Sequence, residues 1–432
     1  MALLIKGGTV LDPGRFHGRA DVLIENGVIT AIIPMDGKSR QQAPTSSGDV
    51  AVLEAAGKLV VPGFVDLHVH FREPGFEYKE TIQSGAAAAV AGGFTTVCCM
   101  PNTTPVNDSQ SVTEFILDRA RAAGLANVYP IGAITKGSEG LELAEIGELR
   151  AAGCVAISDD GKPVTNSAVM RRAMEYARAF DCPVVDHCED TALVDGGCMN
   201  EGVVSTELGL PGIPAAAEEV MVARNIMLAE LTGARLHLPH VSTVGSVRLV
   251  REAKQRGIAV TAEACPHHFT LTEEAVRGYD THAKMNPPLR TWEDVQAIKA
   301  GLRDGTIDLI ATDHAPHAAH EKQLEFVDAP FGVIGLETAF PLTLALVEEG
   351  TLSLEQAIAK LTVEPARVFG LRKGTLAPGA DADVAIVDPD ESWQVDPGRS
   401  YSKSRNTPFA GWKVKGRVSA TIVAGRTVWT AS

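Results

Sequence analysis

His68 and His70 stand one residue apart in the run Pro62-Gly63-Phe64-Val65-Asp66-Leu67-His68-Val69-His70-Phe71-Arg72. Apolar and polar residues alternate there, which predicts a strand with one face toward a core and one toward something polar. Side chains two apart in a strand point the same way. The two imidazoles then share a face and can grip one metal ion. Phe64 and Asp66 are expected on that face, with Val65 and Leu67 packed behind. Pro62-Gly63 marks the start of the strand and Arg72-Glu73-Pro74-Gly75 its end. An isolated His-x-His also suits an ordinary strand with two satisfied histidines. Further ligands at the ends of other strands decide between the two readings.

Four such ends stand out. They are Ile157-Ser158-Asp159-Asp160-Gly161, Val185-Asp186-His187-Cys188-Glu189, Leu238-Pro239-His240-Val241-Ser242 and Ala311-Thr312-Asp313-His314-Ala315-Pro316-His317. With His68 and His70 they offer His187, His240, Asp160 and Asp313. Imidazole nitrogen and carboxylate oxygen suit Zn²⁺, or Mn²⁺, Co²⁺ and similar ions. Histidines at so many strand ends are hard to explain as packing alone, which favours a metal site. Glu189 and Asp190 read as solvated or supporting groups. His267 and His268 read as substrate contacts or, equally, as structural residues. His17, His237, His282 and His320 read as non-ligands.

The elements that must carry these residues alternate. Strands are expected at 64–70, 94–100, 127–134, 154–158, 183–188, 235–241, 258–264 and 307–313. Helices are expected at 77–91, 108–123, 141–152, 167–180, 214–232, 243–256, 292–303 and 336–349. This α/β pattern predicts a (β/α)8 TIM-type barrel, with a doubly wound sheet as the competing fold. Chemistry in such a barrel sits at the C-terminal strand ends. The long segments 190–213 and 314–335 would lie over that mouth, the latter as a mobile lid or binding loop. Residues 1–61 read as short strands: Leu3–Ile5, Thr9–Leu11, Asp21–Glu25, Val28–Ile33 and Val50–Glu54. Asn26-Gly27 signals a hairpin, and Lys38–Gly48 an exposed loop. After a helix near 353–369, Val384–Val387, Val418–Val423 and Arg426–Thr430 read as strands again. The expected domains are 1–61 and 371–432, joined as a small β-sandwich, and 62–370 as the barrel.

The 432 residues hold 41 glycines and 24 prolines, with 45% hydrophobic and 22% charged residues, as in a globular protein with many tight turns. The formal net charge of −15 argues against a nucleic-acid footprint. Met1-Ala2-Leu3-Leu4-Ile5 is too short for a signal-peptide core, and no apolar run reaches membrane-spanning length. Seven cysteines without a Cys-x-x-Cys pair read as reduced, mostly buried thiols, Cys98, Cys99, Cys154 and Cys182 among them, of a cytoplasmic protein.

Five pieces carry a resemblance. They are Asp66–Gly75, Met100-Pro101-Asn102-Thr103, Ser158-Asp159-Asp160-Gly161, Asn286-Pro287-Pro288-Leu289-Arg290 and Asp313-His314-Ala315-Pro316-His317. With the terminal Asn406-Thr407-Pro408-Phe409 they make nearly the whole chain resemble the amidohydrolase superfamily, and within it the class I dihydroorotases. The resemblance implies zinc, one or two ions per subunit. His68, His70 and Asp313 would hold one ion, His187 and His240 the other, with Asp160 bridging. Many superfamily members carry a carboxylated lysine at the bridge, so the shorter Asp160 points to class I and leaves the metal count open. For the substrate, the resemblance implies Arg72, Asn102 and His317 at a carboxylate, and Asn286 with the Phe331–Gly332 backbone at a ring. His70 belongs to the substrate set as well.

The implied reaction is the reversible conversion of L-dihydroorotate to N-carbamoyl-L-aspartate in pyrimidine synthesis, with Asp313 as catalytic acid and base. A small-molecule substrate, a homodimer and aspartate transcarbamoylase are the partners so implied. Two rivals stand beside this reading: an allantoinase-like hydrolase, and an inactive barrel scaffolding aspartate transcarbamoylase.

Overall fold

The first two expected strands fold as one. In the computed structural model, which describes residues 2–35 and 50–431, β1 runs from Ala2 to Asp12. A register shift between Ile5 and Gly8 absorbs the interruption without ending the strand. Gly8 is needed there, because a Cβ would lie 2.6 Å from Val60 Cγ2. β2 (Phe16–Glu25) and β3 (Val28–Pro34) turn through Asn26-Gly27 at φ +52° and +83°, the left-handed pair that a tight hairpin requires. β4 (Val50–Glu54) and β5 (Leu59–Pro62) follow. The expected loop Lys38–Gly48 lies outside the described residues.

From residue 64 strands and helices alternate. The strands are β6 (Phe64–Val69), β7 (Phe94–Cys99), β8 (Asn127–Pro130), β9 (Ile157–Ser158) and β10 (Val184–Val185). A short pair, β11 (Met199–Asn200) and β12 (Gly212–Ile213), interrupts the series before β13 (Leu236–Leu238), β14 (Val260–Ala264) and β15 (Leu309–Ile310). Helices at Ile82–Ala91, Gln110–Ala123, Ile146–Ala152, Ser167–Arg178, Ala215–Thr232, Val244–Gln255, Trp292–Asp304 and Ala339–Glu348 fill the intervals. β6-β7-β8 pair in parallel, as do β9-β10-β13-β14-β15. Parallel bridges Gly132–Ile157 and Val69–His314 join the two groups into a closed circuit.

The strands are buried on both faces and mostly apolar, as parallel strands covered by helices must be, with Asp66, His68 and Glu263 the charged or titratable exceptions in β6 and β14. Val65 and Leu67 meet Ile131, Val185 and Leu309 inside the circuit, with Phe369 among them. Phe64 and Val69 instead pack in the helix layer, Phe64 lying 5.6 Å from both the Phe94 and Phe340 rings. Phe64 therefore does not share the face of the histidines. The β6–β7 register shifts between Asp66 and Val69, so the two-residue period fails across His68.

The expected helix near 353–369 is two helices, Leu354–Leu361 and Val363–Phe369, broken at Thr362. Pro365 has no N–H for the Leu361 carbonyl, so one helix cannot run through. β16 (Val384–Gln394), β17 (Lys413–Val423) and β18 (Arg426–Thr430) then complete the chain. Both chain ends form one hydrogen-bonded sheet, ordered β18-β17-β16-β5-β1-β2-β3, with β4 also on β1. The expected sandwich is thus a single sheet by pairing. β5 stitches the halves, bonding β1 on one edge and β16 on the other. β1 pairs with β4 along Ala2–Lys6 and with β5 at Thr9–Val10. At that fork the sheet encloses a core of its own, which includes Ile5, Val22, Val60, Ile386 and Ile422. All seven cysteines are free and buried. No described helix is long and apolar enough to cross a membrane.

Candidate metal centre

The strands end early, and the polar residues sit just beyond them. β6 stops at Val69, and the His70 N–H donates to the His314 carbonyl at 2.9 Å. β13 stops at Leu238 and β15 at Ile310. Arg72, His240 and Asp313 adopt φ of +62°, +34° and +47°, a left-handed bend that non-glycine residues rarely take. The bends replace strand periodicity as the device that aims these side chains.

Asp160 is the meeting point. Its Oδ1 lies 3.6 Å from His68 Nε2, 3.6 Å from His240 Nε2 and 3.7 Å from His187 Nδ1. Its Oδ2 lies 3.5 Å from His70 Nε2. Asp313 Oδ1 is 3.0 Å from His70 Nε2 and 3.5 Å from His68 Nε2. His187 Nδ1 and His240 Nε2 are 3.0 Å apart. Ligand atoms around a tetrahedral zinc ion, at about 2.1 Å from it, lie about 3.4 Å from one another. His68 Nε2 and Asp160 Oδ1 are buried without a hydrogen-bond partner. Buried polar atoms rarely go unpaired, so this donor set fits a bound cation.

The electrostatics agree. Burial alone would raise the Asp160 and Asp313 carboxyls, but His68, His70 and His240 outweigh it and hold both below the usual carboxylate range. Burial also opposes charge on His68, yet Asp160, Asp313 and Glu263 override it and raise that imidazole. Several carboxylates in one buried space leave negative charge that a divalent ion balances.

The supporting residues fix which ring nitrogen points inward. Glu263 Oε1 lies 2.7 Å from His68 Nδ1, and its Oε2 lies 3.0 Å from His237 Nε2. Asn102 Oδ1 lies 2.9 Å from His70 Nδ1. With Nδ1 so engaged, each Nε2 is left facing Asp160 and Asp313. Asp66, one strand period before His68, accepts from the Thr312 N–H and hydroxyl, at 3.2 and 2.6 Å, and so ties β6 to the start of the Asp313 bend. Glu263 was not among the candidates. Its signal was present as a lone acid inside the apolar run of β14.

Around this centre lie the expected substrate residues. Arg72 is half-buried, with Nε donating to the Pro316 carbonyl at 3.3 Å and Nη2 lying 3.4 Å from His317 Nε2. It does not pair with Glu73, which binds Arg119. His317 Nε2 lies 2.7 Å from the Phe331 carbonyl. Asn286 Nδ2 donates to Glu189 Oε1 at 2.8 Å and lies 3.4 Å from His187 Nε2. Glu189 is therefore part of this wall. Burial disfavours charge on His187, but Glu189 and Asp160 bring it up to about 9. His268 Nε2 donates to the Pro287 carbonyl at 2.9 Å, holding the turn beside Asn286. His267 is buried with Nε2 unpartnered.

The segment 314–335 is tied to its surroundings by hydrogen bonds to backbone carbonyls. Lys322 Nζ donates to the carbonyls of Thr281, Lys284 and Pro330, and Lys284 Nζ to those of Phe326 and Val327. Asn406, from the terminal motif, donates to the Ala315 and Gly332 carbonyls and accepts from the His317 N–H, each at 3.0 Å.

The Asn286–Arg290 motif divides between the centre and the packing around it. Arg290 is buried and donates to Asn200 Oδ1 at 2.8 Å, the Ile213 carbonyl at 2.7 Å and Ser242 Oγ at 3.3 Å. Arg290→Met keeps the apolar stem and leaves Asn200 Oδ1 unpaired, while the Ile213 carbonyl keeps the Glu201 N–H at 3.1 Å. The expected cost is about 2 kcal/mol of unfolding free energy, at about 1–3 kcal/mol per unsatisfied group. Urea unfolding measures it, and a loss below about 1 kcal/mol would contradict the structural role.

Comparison with known proteins follows the same lines. Residues 57–246 match the family described as Dihydro-orotase-like, and residues 332–429 match the Amidohydrolase family. A dihydroorotase of Syntrophotalea carbinolica is 58% identical over 435 residues, covering 100% of both chains. One of Syntrophus aciditrophicus is 53% identical, covering 99% of each. Among solved structures, the L-hydantoinase (dihydropyrimidinase) of Arthrobacter aurescens aligns with a TM-score of 0.85 at 26% identity, over 98% of this chain and 95% of its own.

Proposed function

The chain belongs to the dihydroorotase family of the amidohydrolases, and from that membership we propose that it interconverts L-dihydroorotate and water with N-carbamoyl-L-aspartate in pyrimidine biosynthesis, on a centre of one or two zinc ions. The observation that carries the reading is the convergence on Asp160, whose unbonded Oδ1 faces three imidazole nitrogens at 3.6–3.7 Å. The closed circuit of parallel strands supports a (β/α)8 barrel over residues 62–370. The forked sheet supports a sandwich-like companion built from 1–61 and 371–432.

His68, His70 and Asp313 would hold one ion, and His187 and His240 the other, with Asp160 between them. When bound, such ions polarise a carbonyl and acidify water to a pKa of about 7 in well-studied zinc sites. The chain's own residues supply the rest. Arg72 offers a planar fork to the substrate carboxylate and sets the ring's orientation. Asn102 has its oxygen committed to His70, which leaves its amide N–H groups for the same carboxylate. His317 donates to the Phe331 carbonyl, so a substrate carboxylate would compete for that proton and couple binding to the 331–332 backbone. Asn286 would meet the ring from the opposite wall. Asp313 accepts the proton of the attacking water and returns it to the ring nitrogen as the amide C–N bond breaks.

An allantoinase-like activity has less support, because Asp160 stands where those hydrolases usually carry lysine and the Arg72 guanidinium beside the centre suits an anionic substrate. An inactive scaffold has less support too, because the full ligand set is present. Elemental analysis is expected to find one to two zinc ions per chain, as the proposed ligand set allows. Dialysis against a chelator is expected to abolish dihydroorotate turnover, and added zinc to restore it. Turnover without bound metal, or zinc-loaded protein inert toward dihydroorotate, would contradict the proposal.

A further inference from the structure

Beside His317 lies a cavity of about 320 Å³ whose lining includes none of the candidate metal ligands. Its wall carries Lys322, Arg405, His282 and His317, with the amides of Gln323 and Asn406, and holds no carboxylate. That is unexpected in a chain of net charge −15. The nearest acids are already engaged. Glu321 lies 2.8 Å from Lys79 Nζ, and Asp280 Oδ1 accepts from the His282 N–H at 2.9 Å. Lys322 is 4% exposed, and its Nζ donates to backbone carbonyls at 2.9, 3.2 and 2.7 Å. Arg405 donates to the Ser402 and Ser404 carbonyls. His282 Nδ1 is buried without a partner. Burial, with Lys284 beside it, pushes the Lys322 amine down to about 7, as expected of a cation that lacks a counter-charge.

We propose that this cavity is a second anion site, separate from the catalytic centre, which takes a compact dianion such as a phosphate or a four-carbon dicarboxylate. Arg405 presents a guanidinium fork suited to either group. Lys322 keeps its three backbone acceptors and acts through its charge alone, which a bound dianion would stabilise, and His282 and Gln323 add neutral polar contacts. The site shares one residue, His317, with the proposed substrate clamp. Occupation is therefore expected to change KM for dihydroorotate more than kcat. That coupling rests on the clamp reading above, whereas binding at the cavity does not.

The test titrates inorganic phosphate and succinate, separately, into the zinc-loaded protein by calorimetry. One saturable site is expected, weakened about tenfold or more by Arg405→Gln and by His282→Gln, as loss of a charge-assisted contact predicts. Arg405 is exposed and His282 half-buried, so both substitutions spare the packing, and neither residue belongs to the catalytic set. Arg72→Met should leave the binding unchanged, which separates this site from the substrate clamp. Saturation by phosphate alone or by succinate alone identifies the ligand class, and saturation by both identifies a general dianion site. Absence of binding by both anions, or binding indifferent to Arg405→Gln and His282→Gln, overturns the proposal. If binding follows these variants while KM does not respond, the site stands and the coupling through His317 falls.

Discussion

Asp313→Asn is expected to lower dihydroorotate turnover by about 10²–10⁴-fold while the protein stays folded. Asparagine matches aspartate in shape and tolerates the left-handed backbone, here φ +47°, about as well. The substitution therefore adds no strain at the bend. What it removes is basicity. In the parent, burial favours the protonated acid, but His68, His70 and His240 keep the carboxyl ionised. Oδ1 is engaged by His70 at 3.0 Å and faces His68 at 3.5 Å, which leaves Oδ2 to receive the water proton. An amide in that place has no lone pair basic enough to do so. Steady-state kinetics on protein whose zinc content matches the parent measures the effect. Near-parental turnover in that sample would remove Asp313 from its role.

Arg72→Met is expected to lower kcat/KM for dihydroorotate by about 10²–10⁴-fold with zinc content unchanged. Methionine keeps most of the stem's bulk and, like arginine, is unbranched at Cβ, so the left-handed position at φ +62° is no worse occupied. The loss is the charge and two paired hydrogen bonds, each worth about 1.5–3 kcal/mol when charge-assisted. Each 1.36 kcal/mol is a factor of about ten in rate. Arg72 is not a ligand to the centre, and its fixed contacts in the fold are the Pro316 carbonyl and the His317 ring. A neutral cyclic amide such as dihydrouracil gives the control, because its turnover should not fall with that of the acid. If Arg72→Met hydrolysed dihydroorotate as well as the parent, the carboxylate clamp would be wrong and a neutral cyclic amide would be the better substrate.

The two substitutions also separate two kinds of information. Asp313 was legible as a candidate ligand because acids and histidines recur at the ends of alternating strands. Arg72 was legible as a neighbour of the centre, but for a reason the fold does not use. Strand periodicity would carry it two positions beyond His70 on the same face, whereas β6 has ended and a left-handed bend turns it toward His317. Phe64 shows the limit of the same rule, since the β6–β7 register shift places it among the helices.

Residue types and order alone thus determined the alternation of strand and helix and the candidate ligands at the strand ends. These follow from local rules: a period of two in strands, a period near 3.6 in helices, and the preference of metals for imidazole and carboxylate. The tertiary structure alone decided the rest. It set Asp160 Oδ1 among three imidazoles and Glu263 against His68, partners 195 residues apart. It drew Asn406 onto the loop of His317, 89 residues away, and sent Arg290 into the packing while Asn286 faced the centre. It joined the two chain ends into one sheet through β5. Distances of this kind are fixed by closure of the strand circuit and by bends at positive φ, which side-chain packing imposes and which no period in the chain encodes.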